Sequence, residues 1–168
     1  MVKAEDFTHF DFETTPIIVK AVCESLIQSH DGVIRICPAV RPQDETAFTM
    51  YAEGGFKVDA EISADSYVIT VENLRGEGFF LTLPEYAEQT KLMVYRSTGG
   101  EFVKSDVKIS RYGNEDVLDF SDSAAGEIIL LTSEPIENLE TYEQEVSERN
   151  MNMKMLDNVY LGSPRLMK

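Results

Sequence analysis

The sequence contains no tryptophan, two histidines and two cysteines. Nucleophilic catalysis needs a base beside the nucleophile; His9 and His30 are the only histidines, and no G-x-S-x-G turn is present to hold a serine. Cys23 and Cys37 are too few for a disulfide framework, and their apolar neighbours favour buried free thiols over a bridge. No group of residues has the spacing of a zinc or calcium site. We therefore predict no metal and no cofactor.

Basic residues are also scarce. The chain has 15 Lys and Arg and 30 Asp and Glu, which gives a net charge of −15. Phosphate backbones and anionic membranes are bound by clusters of Lys and Arg, and the chain has no such cluster. Its apolar runs stay below the roughly 18 residues of a membrane span, and its first residues lack the apolar stretch of a signal peptide. We predict neither a nucleic-acid nor a membrane partner. The localisation stays open, since a fragment would have lost an N-terminal address.

Short segments of alternating apolar and polar residues, separated by glycine-rich turns, fill the middle of the chain. This spacing is typical of an all-β sandwich or barrel. The predicted strands cover residues 33–37, 46–52, 56–62, 67–73, 79–84, 91–97, 101–112, 117–120 and 126–133. The predicted fold is mainly β, an antiparallel, jelly-roll-like sandwich over 33–133 that follows one apolar helix.

The last residues, 134–168, are polar and acidic before they end in a methionine-rich stretch. We predict an extended tail that docks on the sandwich through four apolar side chains, Met155, Leu156, Tyr160 and Leu161. The alternative is an amphipathic segment that binds a partner.

The predicted helix begins at Pro16, which suits the first helical position, with Thr15 as its cap. It runs to about His30, which would lie at the helix C-terminus, and stops at Asp31-Gly32. Apolar residues occupy almost the whole circumference, and the polar side narrows to Lys20, Glu24 and Gln28. Such a helix is buried on most sides, yet one sheet covers only one side. Leaving three aliphatic side chains (Ile17, Val19 and Ile27) in water forfeits roughly 5–9 kcal/mol. The helix therefore needs further protein, either a partner chain or a missing remainder.

Two carboxylates, Asp11 and Glu13, precede this predicted helix. Glycoside hydrolysis uses a pair of carboxylates, and the partial positive charge of a helix N-terminus favours an ionised base. Acidic residues at such a position are, however, commonly helix caps.

The segment A-V-C-E-S-L-I-Q-S-H-D-G-V-I-R-I-C-P-A-V, residues 21–40, resembles the end of the last barrel helix in glycoside hydrolase family 95 and its relatives. The segment A-F-T-M-Y-A-E-G-G-F-K-V-D-A-E-I is similar to the family's following stretch, and L-G-S-P-R-L to some of its C-termini. The resemblance spans most of residues 10–133. The matching residues are Glu24, Leu26, Ile27, Gln28, Ser29, His30, Gly32, Ile34, Pro38, Ala39, Gly54, Gly55, Phe56 and Val58.

This resemblance implies an (α/α)6 barrel followed by a β-sandwich, in an α-L-fucosidase-like or galactosidase-like enzyme. The family inverts the sugar with a general-acid Glu and a water-activating Asp. That Asp position falls on Glu13, the candidate general base, and the family's Gly-Asn pair becomes Thr14-Thr15. Residues 1–32 would be the terminal helix of a barrel that lies upstream and is the expected partner. The chain alone is expected to be inactive, because one carboxylate cannot supply both roles.

Two other functions remain open. A free-standing carbohydrate-binding module would bind a glycan, the second candidate partner, on exposed aromatic rings. Five tyrosines are available for this, although tyrosine in alternating strands more often packs in the core: Tyr51, Tyr67, Tyr86, Tyr95 and Tyr112. The third candidate is an interaction protein whose apolar helix binds a partner groove.

Overall fold

The computed structural model describes residues 10–136, Leu139, and the segments 154–156 and 159–161, with the backbone alone for 10–15 and for the two C-terminal segments. Within residues 10–135, one helix, α1 (Phe10–Leu26), is followed by strands and one 3-10 turn at Gln89–Lys91. The strands are β1 (Ile27–Gln28), β2 (Val33–Ile36), β3 (Thr46–Ala52), β4 (Phe56–Ile62), β5 (Tyr67–Asn73), β6 (Phe79–Thr82), β7 (Met93–Thr98), β8 (Val103–Ser105), β9 (Lys108–Tyr112), β10 (Glu115–Phe120), β11 (Glu127–Thr132), β12 (Lys154–Leu156) and β13 (Val159–Leu161).

The strands β1 to β11 form two sheets packed as a sandwich. The five-stranded sheet has the order β1-β2-β6-β10-β9, and the six-stranded sheet the order β3-β4-β5-β11-β7-β8. Neighbouring strands are antiparallel except β2 and β6, which run parallel. The predicted mainly β sandwich preceded by one helix is therefore confirmed. Strands β12 and β13 form a separate antiparallel pair, and the predicted docking of Met155, Leu156, Tyr160 and Leu161 concerns side chains outside the described residues.

The core lies between the two sheets and is built from alternate residues of each strand. Its centre is a row of three aromatic rings: Phe56 lies 4.7 Å from Phe79, and Phe79 lies 5.1 Å from Phe120, between ring centroids. All three rings are almost fully buried. Because Phe56 belongs to the six-stranded sheet and the other two to the five-stranded sheet, the row joins both layers.

The segment 101–112, expected as one strand, is two strands in different sheets. Val103–Ser105 pairs with β7 of the six-stranded sheet, whereas Lys108–Tyr112 pairs with β10 of the five-stranded sheet. The two residues between them carry the chain from one sheet to the other. A single alternating stretch therefore serves as the edge strand of both layers.

The helix has different ends from those predicted. It begins at Phe10, so Thr15 and Pro16 lie inside it and neither caps it nor starts it. A proline in a helix removes one N–H, here the one that would bond the carbonyl of Phe12, and the turns on either side can remain helical. The predicted start at Pro16 is wrong.

The C-terminal end of α1 is set by strand pairing. The backbone N–H of Cys37 donates to the carbonyl of Leu26 at 2.8 Å, and Ala39 donates to Ser25. These donors replace the next helical turn, and Ile27 and Gln28 continue as strand β1 opposite Ile36 and Arg35. The predicted end at His30 is therefore wrong.

Several side chains change their expected surroundings as a result. Ile27 lies in the core instead of on an outer helix face. His30 lies exposed in the β1–β2 turn, four residues beyond the end of α1. Gly32, with a φ of 87°, belongs to the same turn and does not cap the helix. Both cysteines are free, as predicted; Cys37 is buried and Cys23 half-buried, and burial raises the pKa of the Cys37 thiol to about 11.

Candidate functional site

Four exposed aliphatic side chains on α1 form what we call the helix surface: Ile17, Ile18, Val19 and Val22. Their exposed fractions are 68%, 57%, 55% and 52%. At about 100° per residue, these positions spread over roughly 200° of the helix circumference. Over residues 17–22, the described part of the chain thus leaves more than half of the circumference of α1 uncovered.

The helix is attached to the sandwich through its C-terminal end. Besides the bonds from Cys37 and Ala39, the backbone N–H of Glu53 donates to the hydroxyl of Ser29 at 2.9 Å, just beyond the helix. Side chains become progressively less exposed from Ala21 to Ile27. Among the described side chains of α1, residues 16–22 are therefore exposed and burial begins at Cys23.

The candidate general base Glu13 and its neighbour Asp11 lie within α1 and not before it. Their side chains are outside the described residues, so the catalytic role of Glu13 stays a prediction. Among the residues that the structure describes, no three His, Cys, Asp or Glu side chains come together as a metal site would need.

A second feature lies where the β1–β2 turn meets the far edge of the five-stranded sheet. Arg35 on β2 donates from both Nη atoms to Asp31, at 2.7 and 2.9 Å, and from Nε to Glu115 on β10, at 3.1 Å. This hydrogen bonding from Arg35 lowers the pKa of Asp31 to about 2. The guanidinium therefore holds the Asp31 and Glu115 side chains in a fixed arrangement.

Two aromatic rings adjoin these charges. Phe80 and Tyr112 lie 5.5 Å apart between centroids, tilted by 37°, and the hydroxyl of Tyr112 donates to the carbonyl oxygen of Asp31 at 2.9 Å. Tyr112 pairs with Glu115 across the β9–β10 hairpin and is 41% exposed. We call Asp31, Arg35, Phe80, Tyr112 and Glu115 together the aromatic–charged cluster.

Sequence reasoning named Tyr112 among five tyrosines but did not single out the rest of this cluster. The alternation along each strand was a local signal that the Arg35 and Phe80 side chains point outward. Arg35 lies between two core residues of β2. Phe80 lies between Phe79 and Leu81 of β6, and both of these belong to the core. An arginine or an aromatic ring at such an outward position is typical of a surface contact. What no local pattern showed is that these strands lie side by side.

The other tyrosines have different surroundings. Tyr67 and Tyr95 are buried, whereas Tyr51 on β3 is 67% exposed. Burial raises the pKa of Tyr67 to about 12. Tyr67 and Tyr86 help to line a small cavity of about 60 Å³ between the β4–β5 turn and the loop after β6. Within the described residues their buried hydroxyls have no hydrogen-bond partner, and a cavity of this size and polarity suits ordered water.

The Asp31–Arg35 pair predicts an acid-sensitive contact. Because the folded-state pKa of Asp31 is about 2 against an ordinary 3.8, its contribution to stability is present above pH about 4 and is lost as the pH falls towards 2. A carboxyl-detected NMR titration should give a midpoint near 2 for Asp31, and Arg35→Met should raise it towards 3.8. The control is Arg41→Met, since Arg41 also donates two hydrogen bonds to one carboxylate, from Nε and Nη2 to Asp44; it should leave the pKa of Asp31 unchanged. A midpoint near 3.8 in the unmodified protein would contradict the contact.

No helix among the described residues has the length and hydropathy to cross a membrane. We compared the chain with protein-family profiles, with curated proteins and with solved structures, and none of the three comparisons found a match.

Proposed function

We propose that this chain is the non-catalytic C-terminal β-sandwich portion of a carbohydrate-active glycoside hydrolase. In this proposal the chain braces an (α/α)6 catalytic barrel, and the barrel packs against α1. The observation that carries the proposal is the helix surface, four aliphatic side chains each more than half exposed beside a sandwich whose own core is well buried. The resemblance of residues 21–40 and 47–62 to family 95 adds the substrate class, α-linked fucose or galactose in a glycan.

The shape of the helix surface favours several partner helices over one groove. A single groove covers an apolar stripe of about 100°, whereas these side chains spread over roughly 200°. In a barrel, each helix packs against neighbours on two sides. Covering four aliphatic side chains that are more than half exposed would stabilise the assembly by roughly 3–7 kcal/mol.

A second candidate function is a free-standing carbohydrate-binding module. The observation that favours it is the exposed ring of Tyr112, which lies beside the paired charges of Arg35 and Asp31. The third candidate function is an interaction module whose helix binds one groove of a partner. A single groove would cover too little of the helix surface.

The test begins with the DNA directly upstream of the Met1 codon. The proposal expects an in-frame run of helical hairpins there, whereas a promoter and ribosome-binding site at that place would contradict it. The upstream barrel is then produced as a separate chain and mixed with the 168-residue protein. Sedimentation velocity should show a one-to-one complex, and the sandwich chain alone should release no fucose or galactose.

Substituting the helix surface should abolish this complex. In the triple variant Ile17→Asp, Ile18→Asp and Val22→Asp, three charges would have to be buried, so we expect affinity for the barrel to fall by at least about a hundredfold. The matched control carries Val103→Asp and Ile109→Asp on β8 and β9, at positions 65% and 60% exposed, and should bind as the unmodified chain does. Equal binding by the triple variant, or sugar release by the chain alone, would refute the proposal.

A further inference from the structure

We propose that the aromatic–charged cluster on the five-stranded sheet binds an uncharged saccharide, with one sugar ring stacked on Tyr112 and neighbouring hydroxyl groups bound by Arg35, Asp31 and Glu115. This site lies on the sandwich and does not depend on whether α1 joins a barrel.

The ring of Tyr112 is held before any ligand arrives. Phe80 packs against it at 5.5 Å, and the bond from its hydroxyl to the Asp31 carbonyl restrains the other end. Its 41% exposure leaves apolar ring area in contact with water. Stacking the C–H groups of a sugar ring on this area removes apolar surface from water. Because the ring is already fixed, little conformational entropy is lost on binding.

The charged residues offer donors and acceptors side by side. A guanidinium has five N–H groups, and Arg35 uses three of them on Asp31 and Glu115, which leaves one N–H on each Nη atom. The Asp31 and Glu115 side chains are 40% and 48% exposed, so their remaining lone pairs are open to a ligand. One sugar hydroxyl can therefore donate to a carboxylate, and an adjacent hydroxyl can accept from the part of the Arg35 side chain, 17% exposed, that reaches the surface.

The charge of the cluster and of the whole chain favours a neutral ligand over an acidic one. The cluster itself holds two carboxylates against one guanidinium, and the whole chain has a net charge of −15. An anionic sugar or a phosphate would be repelled by both. A neutral sugar satisfies the hydrogen-bonding groups without that penalty. One stacked ring with a few hydrogen bonds corresponds to a dissociation constant on the order of 1 mM.

The experiment is an NMR titration of the 168-residue protein with methyl glycosides of fucose, galactose, glucose and mannose, and with glucuronate as the anionic counterpart. At least one neutral glycoside should give saturable shifts confined to the β1–β2 turn, β6, β9 and β10. Glucuronate should bind at least about fivefold more weakly than that neutral glycoside. No saturable shift with any neutral sugar, or tighter binding of glucuronate, would overturn the proposal.

Variants separate the site from the fold. Tyr112→Ala should weaken binding at least about tenfold, because the stacking surface is removed. Tyr112→Phe keeps the ring and should stay within about threefold, since only the hydroxyl bond is lost. Tyr51→Ala removes a more exposed tyrosine from the other sheet and should change nothing. The helix-surface triple variant should bind the sugar normally, so failure of barrel binding and failure of sugar binding are distinguishable. Unchanged affinity in Tyr112→Ala would refute the site.

Discussion

Replacing Phe120 by alanine is expected to lower the free energy of unfolding by about 3–5 kcal/mol. Phe120 is 1% exposed and stacks on Phe79, which in turn contacts Phe56 of the opposite sheet. The truncation removes one end of this row and leaves a cavity that the neighbouring strands can fill only in part. Since small domains are stable by about 5–15 kcal/mol, the loss is a large share of the total.

Equilibrium urea unfolding followed by circular dichroism measures this effect. The matched control is Phe80→Ala, because Phe80 follows Phe79 on the same strand but points to the outer face, where it is half-buried. The control should cost roughly 1 kcal/mol. Equal losses in the two variants would show that the row of rings does not join the layers as described.

Replacing Asn73 by alanine is expected to lower the free energy of unfolding by about 2–4 kcal/mol. This side chain is 0% exposed at the end of β5. Its Nδ2 donates to the carbonyl of Glu77 and to the hydroxyl of Ser123, both at 2.9 Å. Its Oδ1 accepts the backbone N–H groups of Arg75 and Gly76 at 3.2 and 2.7 Å. Alanine removes all four bonds from a fully buried position, and Ser123, the partner that belongs to a buried residue, loses its bond to Asn73.

The control for this prediction is Asn114→Ala in the exposed β9–β10 turn, expected to change stability by less than about 0.5 kcal/mol. Asn73→Asp is a useful second variant. It keeps the acceptor for Arg75 and Gly76 but loses the amide donor and places a charge in the interior, so it should also be destabilised. The network would be of little consequence if Asn73→Ala and Asn114→Ala unfolded at the same urea concentration.

The strands were predictable where local alternation is strong. Residues 56–62 and 67–73 have their predicted bounds as β4 and β5, because every second side chain must point into the core. The apolar character of the helix was also predicted, and Ile17, Ile18, Val19 and Val22 are exposed among the residues that the structure describes. These features depend on the period of a few neighbouring residues, which is present in the sequence itself.

The candidate sites were predictable only in part. Tyr112 was one of five tyrosines considered, and Glu13 was named from a resemblance and has a side chain outside the described residues. Nothing local indicated that Arg35 would bond Glu115, because the two residues are separated by 80 positions. The outward position of Arg35 on its strand was visible, but its partner was not.

By itself, the sequence determined the mainly β class, most strand positions and the apolar character of α1, since each follows from local periodicity. Only the tertiary structure decided where α1 ends, which sheet receives β8 or β9, and which residues surround Tyr112. Those features depend on pairing between distant segments, such as Cys37 with Leu26 and Asp31 with Tyr112. Such pairing is selected by the stability of the whole core after the entropy of closing long loops has been overcome, and no short window of sequence contains that information.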